Sequence, residues 1–195
     1  MERKLRSTAR FNTRQMAITG MLSSISILLG VTGLGFIPIP PIKATIMHVP
    51  VIIGAILEGP VVGAMIGLIF GLFSVIQAVM VPTPLSFIFM NPIISVLPRV
   101  LIGITSYYAF KGMFGKISTL KIGVAAAVGS FTNTFGVLGL IYLLYVDKYA
   151  KALRISPAVA KDGLIAVGVT NGIPEAILSV VITISVVMAV NKIRK

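Results

Sequence analysis

The sequence predicts an all-α integral membrane protein: a single bundle of six transmembrane helices with both termini cytoplasmic. Three observations carry this reading. Of the 195 residues, 56% are hydrophobic and only 11% are charged. Mean hydropathy is +1.03, more apolar surface than a soluble domain needs. Apolar runs separated by short polar or Pro-rich stretches leave room for six spans of about 20 residues each. No tail or insertion is large enough for a second domain, so residues 1–195 are read as one transmembrane substrate-binding domain.

The net charge of +12 reads as topology and attraction to anionic lipid rather than nucleic-acid binding, because the basic residues flank apolar segments. Cysteine is absent, which excludes disulfides and thiolate metal sites. A single histidine argues against a protein-only transition-metal site. No cofactor is implied.

Residues 1–13 form a basic, cytoplasmic N-terminus. The following apolar run continues to about Phe36 with no small-residue cleavage site, so a retained first span over 14–36 is expected. A Pro-rich outer loop, 37–43, carries Pro38, Pro40 and Pro41. Span 2 covers 44–57, short for a bilayer, and closes at Glu58-Gly59-Pro60. Span 3 covers 61–81, and the apolar segment 82–91 folds back over the protein. Span 4 covers 92–110, a basic loop 111–121 follows, and span 5 covers 122–145. The outer loop 146–162 is polar and long enough for a surface helix; span 6 covers 163–190, with Pro174 as a place to bend. Six spans put the basic clusters at 3–14, 111–121 and 192–195 on one side, which the positive-inside rule favours over five. Lys148, Lys151, Arg154 and Lys161 then lie outside, mildly against that rule.

Arg99 is the only charged residue in span 4. An arginine in hydrocarbon costs at least about 2.5–3.5 kcal/mol, so it needs a partner or a water-filled cavity. Two partners are available: a bound anion, or Glu175, the one acidic residue well inside a span. At 1.5 Å per residue, Arg99 lies roughly 10 Å, Asn171 roughly 12 Å and Asn133 roughly 18 Å below the outer end. Gln77, His48 and Asn91 sit near that end, so the polar residues gather in the outer half of the bundle. They are the candidate substrate contacts. Each also has a structural reading: Asn133 and Asn171 as interhelical hydrogen-bond partners, His48 and Gln77 as satisfied helix-end residues.

Small residues make a second pattern. Span 1 carries Ala17, Gly20 and Ser24; span 3 carries Gly63, Gly67 and Gly71. Such spacing suits close helix approach, either inside the bundle or against another membrane subunit. No Walker motif, Ser/His/Asp set, His-Glu-x-x-His motif or intramembrane carboxylate pair is present. The chain is built to bind rather than to catalyse. A stand-alone secondary transporter or channel would need a polar track through the inner half, which is apolar apart from Glu175.

Two stretches carry a family resemblance. One runs from His48-Val-Pro-Val-Ile-Ile-Gly to Gly71-Leu72; the other is Asn91-Pro-Ile-Ile-Ser-Val-Leu-Pro-Arg-Val-Leu-Ile-Gly103. Both resemble the substrate-binding S components of energy-coupling factor (ECF) vitamin transporters, and the six-span layout matches across nearly the whole chain. The resemblance implies a multi-pass protein of the prokaryotic cell membrane that captures a vitamin from outside. It implies docking on a transmembrane coupling protein and two cytosolic ATPases, and toppling to release substrate inward. It implies that loop 37–43 gates the site. It also implies an Ala-x-x-x-Ala docking face on span 1, whose place here is taken by Gly20 to Ser24, with Ala17 beside it. Pro98-Arg99 and Asn133 resemble the pantothenate-type and folate-type branches. Pantothenate offers one carboxylate for Arg99 and hydroxyls and an amide for the Asn and Gln residues. Folate asks for aromatic stacking from Phe87, Phe89, Phe131 or Phe135, since Trp is absent. Other micronutrients stay open at this point.

Overall fold

The computed structural model describes residues 12–39, 42–82, 85–113 and 118–193. In chain order these form α1 (Thr13–Val31), β1 (Phe36–Ile39), β2 (Ile42–Thr45), α2 (Val49–Glu58) and α3 (Pro60–Met80), then α4 (Ser86–Phe89), α5 (Pro92–Gly112), α6 (Thr119–Leu144), α7 (Val146–Leu153) and α8 (Pro157–Ile193). The basic N-terminus up to Phe11 lies outside the described residues.

Helices α1, α3, α5, α6 and α8 are long and apolar enough to cross a membrane. Helix α2 is different. Its ten residues rise only about 15 Å, half the thickness of a hydrocarbon core. Residues 49–56 are all buried, and α2 packs against α1, α3, α5, α6 and α8. The helix within the segment expected as a short span, 44–57, is a buried central element of the bundle. It starts later than expected because residues 42–45 are strand. An ion pair, Arg14 Nη2 to Glu58 Oε1 at 2.8 Å, joins the start of α1 to the end of α2. So α2 returns the chain to the end of the bundle where α1 begins. Gly59, with φ 103°, makes the turn into α3; that conformation is open to glycine and strained for other residues.

The segment expected as a Pro-rich loop is a hairpin, the one departure from an all-α fold among the described residues. Phe36 pairs with Thr45, and Ile39 with Ile42, in antiparallel register. Strands form because Phe36, Ile37, Ile39 and Ile42 favour extended backbone, and prolines at 38, 40 and 41 together disfavour a helix by removing backbone donors. Pro40 and Pro41 lie outside the described residues.

The glycine stripe of α3 packs inward. A Cβ on Gly63 would meet Gly103 Cα at 2.9 Å, and one on Gly71 would meet Ser95 O at 2.8 Å. A Cβ on Gly67 would land on the Arg99 carbonyl oxygen. The stripe therefore lets α3 and α5 touch backbone to backbone. On α1, by contrast, Ala17, Gly20 and Ser24 are exposed, and a Cβ on Gly20 would meet nothing within 4 Å. The expected outer loop 146–162 is mostly helical: α7 fills its first half, and α8 starts at Pro157, before the expected 163. Helix α8 continues unbroken through Pro174, as α5 does through Pro98.

Candidate functional site

Arg99 owes its position to its neighbour. Pro98 has no N–H to give to the carbonyl of Ile94, four residues back. The Arg99 guanidinium takes up that carbonyl instead: Nη1 donates to Ile94 O at 2.8 Å. Arg99 Cζ lies 5.7 Å from the Phe70 ring centroid on α3, a distance at which a cation is attracted to the ring face. Arg99 is only 8% exposed. Its Nε has no hydrogen-bond partner among the described residues.

Beside Arg99 is a cavity of about 360 Å³, within the usual range for ligand sites of about 300–1,000 Å³. Helix α3 contributes Phe70, Ser74 and Gln77, α5 contributes Arg99, and α6 contributes Asn133. Phe36 and Thr45 of the hairpin and Phe89 of α4 close the rest. Asn133 Oδ1 is buried without a partner. Gln77 Nε2 donates to Gly30 O at 3.2 Å, tying α3 to α1. Of the six expected substrate contacts, the structure brings Arg99, Asn133 and Gln77 together here.

The other three do not line this cavity. His48 is 1% exposed and its Nε2 is bonded to Ser179 Oγ at 2.8 Å, joining the start of α2 to α8. Asn91 caps α5 by accepting from Ile93 N at 2.9 Å, and its Nδ2 donates to the Tyr145 hydroxyl at 3.0 Å. Asn171 sits on α8 with Oδ1 unpartnered. Arg99 and Glu175 do not form an ion pair. Glu175 Oε1 accepts from Thr45 N and from Thr45 Oγ1, both at 3.0 Å, and Oε2 accepts from Thr134 Oγ1 at 3.0 Å. Both oxygens of Glu175 are taken up by threonines, so among the described residues Arg99 has no carboxylate partner.

Sequence reasoning missed Ser74, Thr45 and Phe70. Ser74 lies one helical turn before Gln77 on the same face, a signal that was present. Thr45 was hidden by reading its segment as the start of a helix. A second cavity of about 200 Å³ between α6 and α8 is lined by Phe135, Leu138, Tyr142 and Leu164 among others, with no charged side chain. Nothing there holds a polar ligand in register.

A cavity reached by one buried cation and flanked by amides, in a helical membrane bundle, suits capture of a small anion. A family model described as "ECF transporter, substrate-specific component" matches residues 14–187. The chain belongs to this family. The match runs from the first turn of α1 to the last turns of α8, so it covers every element that lines the cavity. This S component is 34% identical over 168 residues to the "Pantothenic acid transporter PanT" of Lactococcus lactis subsp. cremoris, covering 79% of this chain and 81% of that one. It is 33% identical over 137 residues to the "Pantothenate transporter PanT" of Leuconostoc mesenteroides subsp. mesenteroides, covering 65% and 67%. It is thus a membrane protein of a transport family rather than a catalytic one.

Proposed function

We propose that this S component captures pantothenate from outside the cell and delivers it inward as part of an ATP-driven ECF importer. The observation that carries the reading is the cavity at Arg99, read beside two relatives named for pantothenate. Pantothenate carries a carboxylate at one end and an amide and two hydroxyls along its length. The carboxylate goes to Arg99, whose Nε is unpartnered. The amide and hydroxyls go to Asn133, Gln77 and Ser74, which line the same space. Phe36, Phe70 and Phe89 all line the cavity, so the preference for pantothenate over folate rests on the named relatives. Of the four aromatics expected to stack on folate, only Phe89 lines the cavity. Phe131 and Phe135 stack on each other at 5.7 Å, and Phe87 lies 6.2 Å from Tyr145.

In this reading α1, α2, α3, α5, α6 and α8 make six passes, with α2 completed by the hairpin and residues 46–48. Both termini face the cytoplasm. The ion pair of Arg14 with Glu58 supports placing the start of α1 and the end of α2 at the same membrane face. The hairpin covers the outer mouth of the cavity. The exposed face of Ala17, Gly20 and Ser24 meets the transmembrane coupling protein, which works with two cytosolic ATPases.

Calorimetric titration of the purified chain with pantothenate, with folate and riboflavin as controls, tests this directly. Tight one-to-one binding of pantothenate alone is expected. A folded, monodisperse sample that binds none of the three would overturn the substrate assignment. In liposomes the chain alone should bind without transporting, and uptake by the chain alone would point to a stand-alone carrier.

A further inference from the structure

We propose that Glu175 is a positioning residue that holds the hairpin wall of the cavity shut, acting on substrate through Thr45 rather than by touching it. The proposal rests on the reading of this cavity as the substrate site.

The hairpin is fixed at its neck. Gly35 N donates to Leu29 O at 2.8 Å, and Ile46 N donates to Gly35 O at 2.9 Å, which anchors both strands near the end of α1. Beyond the neck, the root pair Phe36 and Thr45 forms part of the cavity wall. A two-stranded ribbon alone is marginal in stability and needs something to pack on. Besides the neck, it is attached to the bundle at Thr45. The backbone N–H of Thr45 points to the open edge of the ribbon and donates to Glu175 Oε1 at 3.0 Å, as does the Thr45 hydroxyl. The other carboxylate oxygen accepts from Thr134 of α6. Glu175 therefore bridges hairpin, α6 and α8 from a position only 5% exposed.

A carboxylate placed inside an apolar span is costly unless hydrogen-bonded. Here three donors converge on it, two of them from the one residue that is also cavity wall. Bonds to a charged acceptor are stronger than neutral ones. Breaking them frees the wall while leaving Arg99, Asn133 and Gln77 in place. The consequence is specific: weakening this attachment shortens the residence of substrate without removing any polar group that contacts it.

The test uses the full chain in nanodiscs. Cysteine is absent from the sequence, so spin labels at Lys43→Cys on β2 and Val79→Cys on α3 are unique. Without ligand, the background carrying only the labels should give one narrow distance distribution. Glu175→Ala should broaden it toward longer distances, and Thr45→Val, which loses the hydroxyl bond but keeps the backbone N–H bond to Oε1, should broaden it less. Thr134→Val also removes a bond to Glu175 but leaves the hairpin attached, so it should match the background. Radiolabelled pantothenate should leave Glu175→Ala about tenfold or more faster, with association little changed. Glu175→Gln, which retains an acceptor oxygen, should fall between. If Glu175→Ala does not fold, the partial broadening expected of Thr45→Val against none in Thr134→Val decides the question, and equal distributions in the two would overturn the proposal. Unchanged distances in Glu175→Ala, which removes the acceptor of both Thr45 bonds, would overturn the proposal. Equal broadening in Thr134→Val would overturn it too, by showing general loosening of helix packing. If the unmutated protein binds no pantothenate, the substrate assignment fails, while the distances still decide the role of Glu175.

Discussion

The α3–α5 interface and the α6–α8 interface bound the same region with opposite chemistry. Between α3 and α5, Gly63, Gly67, Gly71 and Gly103 bring backbones into contact, and no polar side chain intervenes at those points. Between α6 and α8, Thr134 meets Glu175; Ser130 and Asn133 on α6 and Asn171 on α8 keep buried oxygens without partners among the described residues. Glycine contact fixes the backbone of α5, and with it the Cα from which Arg99 reaches the cavity. The polar seam supplies groups that a ligand or a moving wall can engage. One interface sets position and the other supplies chemistry, which is the division a binding site needs when its key residue is a single buried cation.

The largest expected effect comes from spoiling the rigid side. Gly67→Val puts a side chain on the Arg99 carbonyl. Overpacking of this kind costs about 1–3 kcal/mol, and more where backbone must move. Pantothenate binding should be lost together with a clear drop in unfolding midpoint in mixed micelles. A variant of normal stability that binds normally would show that the α3–α5 contact does not position Arg99.

Arg99→Ala removes the chemistry and spares the frame. Affinity for pantothenate should fall by about 1.5–3 kcal/mol, the scale of a hydrogen bond to a charged group, and the unfolding midpoint should fall less than in Gly67→Val, because only the bond to Ile94 O and the contact with Phe70 are lost. Asn133→Ala should cost less, about 0.5–1.5 kcal/mol in binding, as a neutral hydrogen bond does. Asn91→Ala makes the opposite split. It removes the cap of α5, so it should lower stability by about 1 kcal/mol and leave affinity unchanged, because Asn91 does not line the cavity. Calorimetry and chemical unfolding on the same preparations separate these cases.

The smallest effect on binding is expected from Gly20→Leu. Nothing lies within 4 Å of the added Cβ, so affinity should hold while ATP-driven uptake with the coupling module falls. If binding fell as well, α1 would be part of the ligand frame rather than a docking face.

Much of this division was legible in the sequence, for identifiable reasons. A lone arginine after a proline in an apolar run stands out whatever the fold, and its cost in hydrocarbon demands an explanation. The four-residue glycine spacing of α3 is likewise visible, although only the structure shows that it faces α5. The bonds that turn polar residues into structure were not legible. His48 and Ser179 are 131 positions apart, and Asn91 and Tyr145 are 54 apart. A depth estimate can place such residues at one level of the bundle but cannot say which of them face each other. The same holds for Thr45 and Glu175, separated by 130 positions. Reading the hairpin as a loop hid the wall of the cavity, because closely spaced prolines disfavour helix without choosing between strand and coil. The central place of α2 was not legible either. Its short length gave no hint that other helices surround it on all sides.

The most direct test of the central claim, that Arg99 binds the substrate carboxylate, is a thermodynamic cycle. Pantothenate and its alcohol analogue, with the carboxylate reduced to a hydroxymethyl group, are titrated into wild type and Arg99→Ala. The account predicts that wild type prefers pantothenate by at least about tenfold, and that Arg99→Ala binds the two compounds almost equally, so the coupling between the side chain and the carboxylate exceeds about 1.5 kcal/mol. Equal affinity of wild type for acid and alcohol, or a preference that survives in Arg99→Ala, would contradict it.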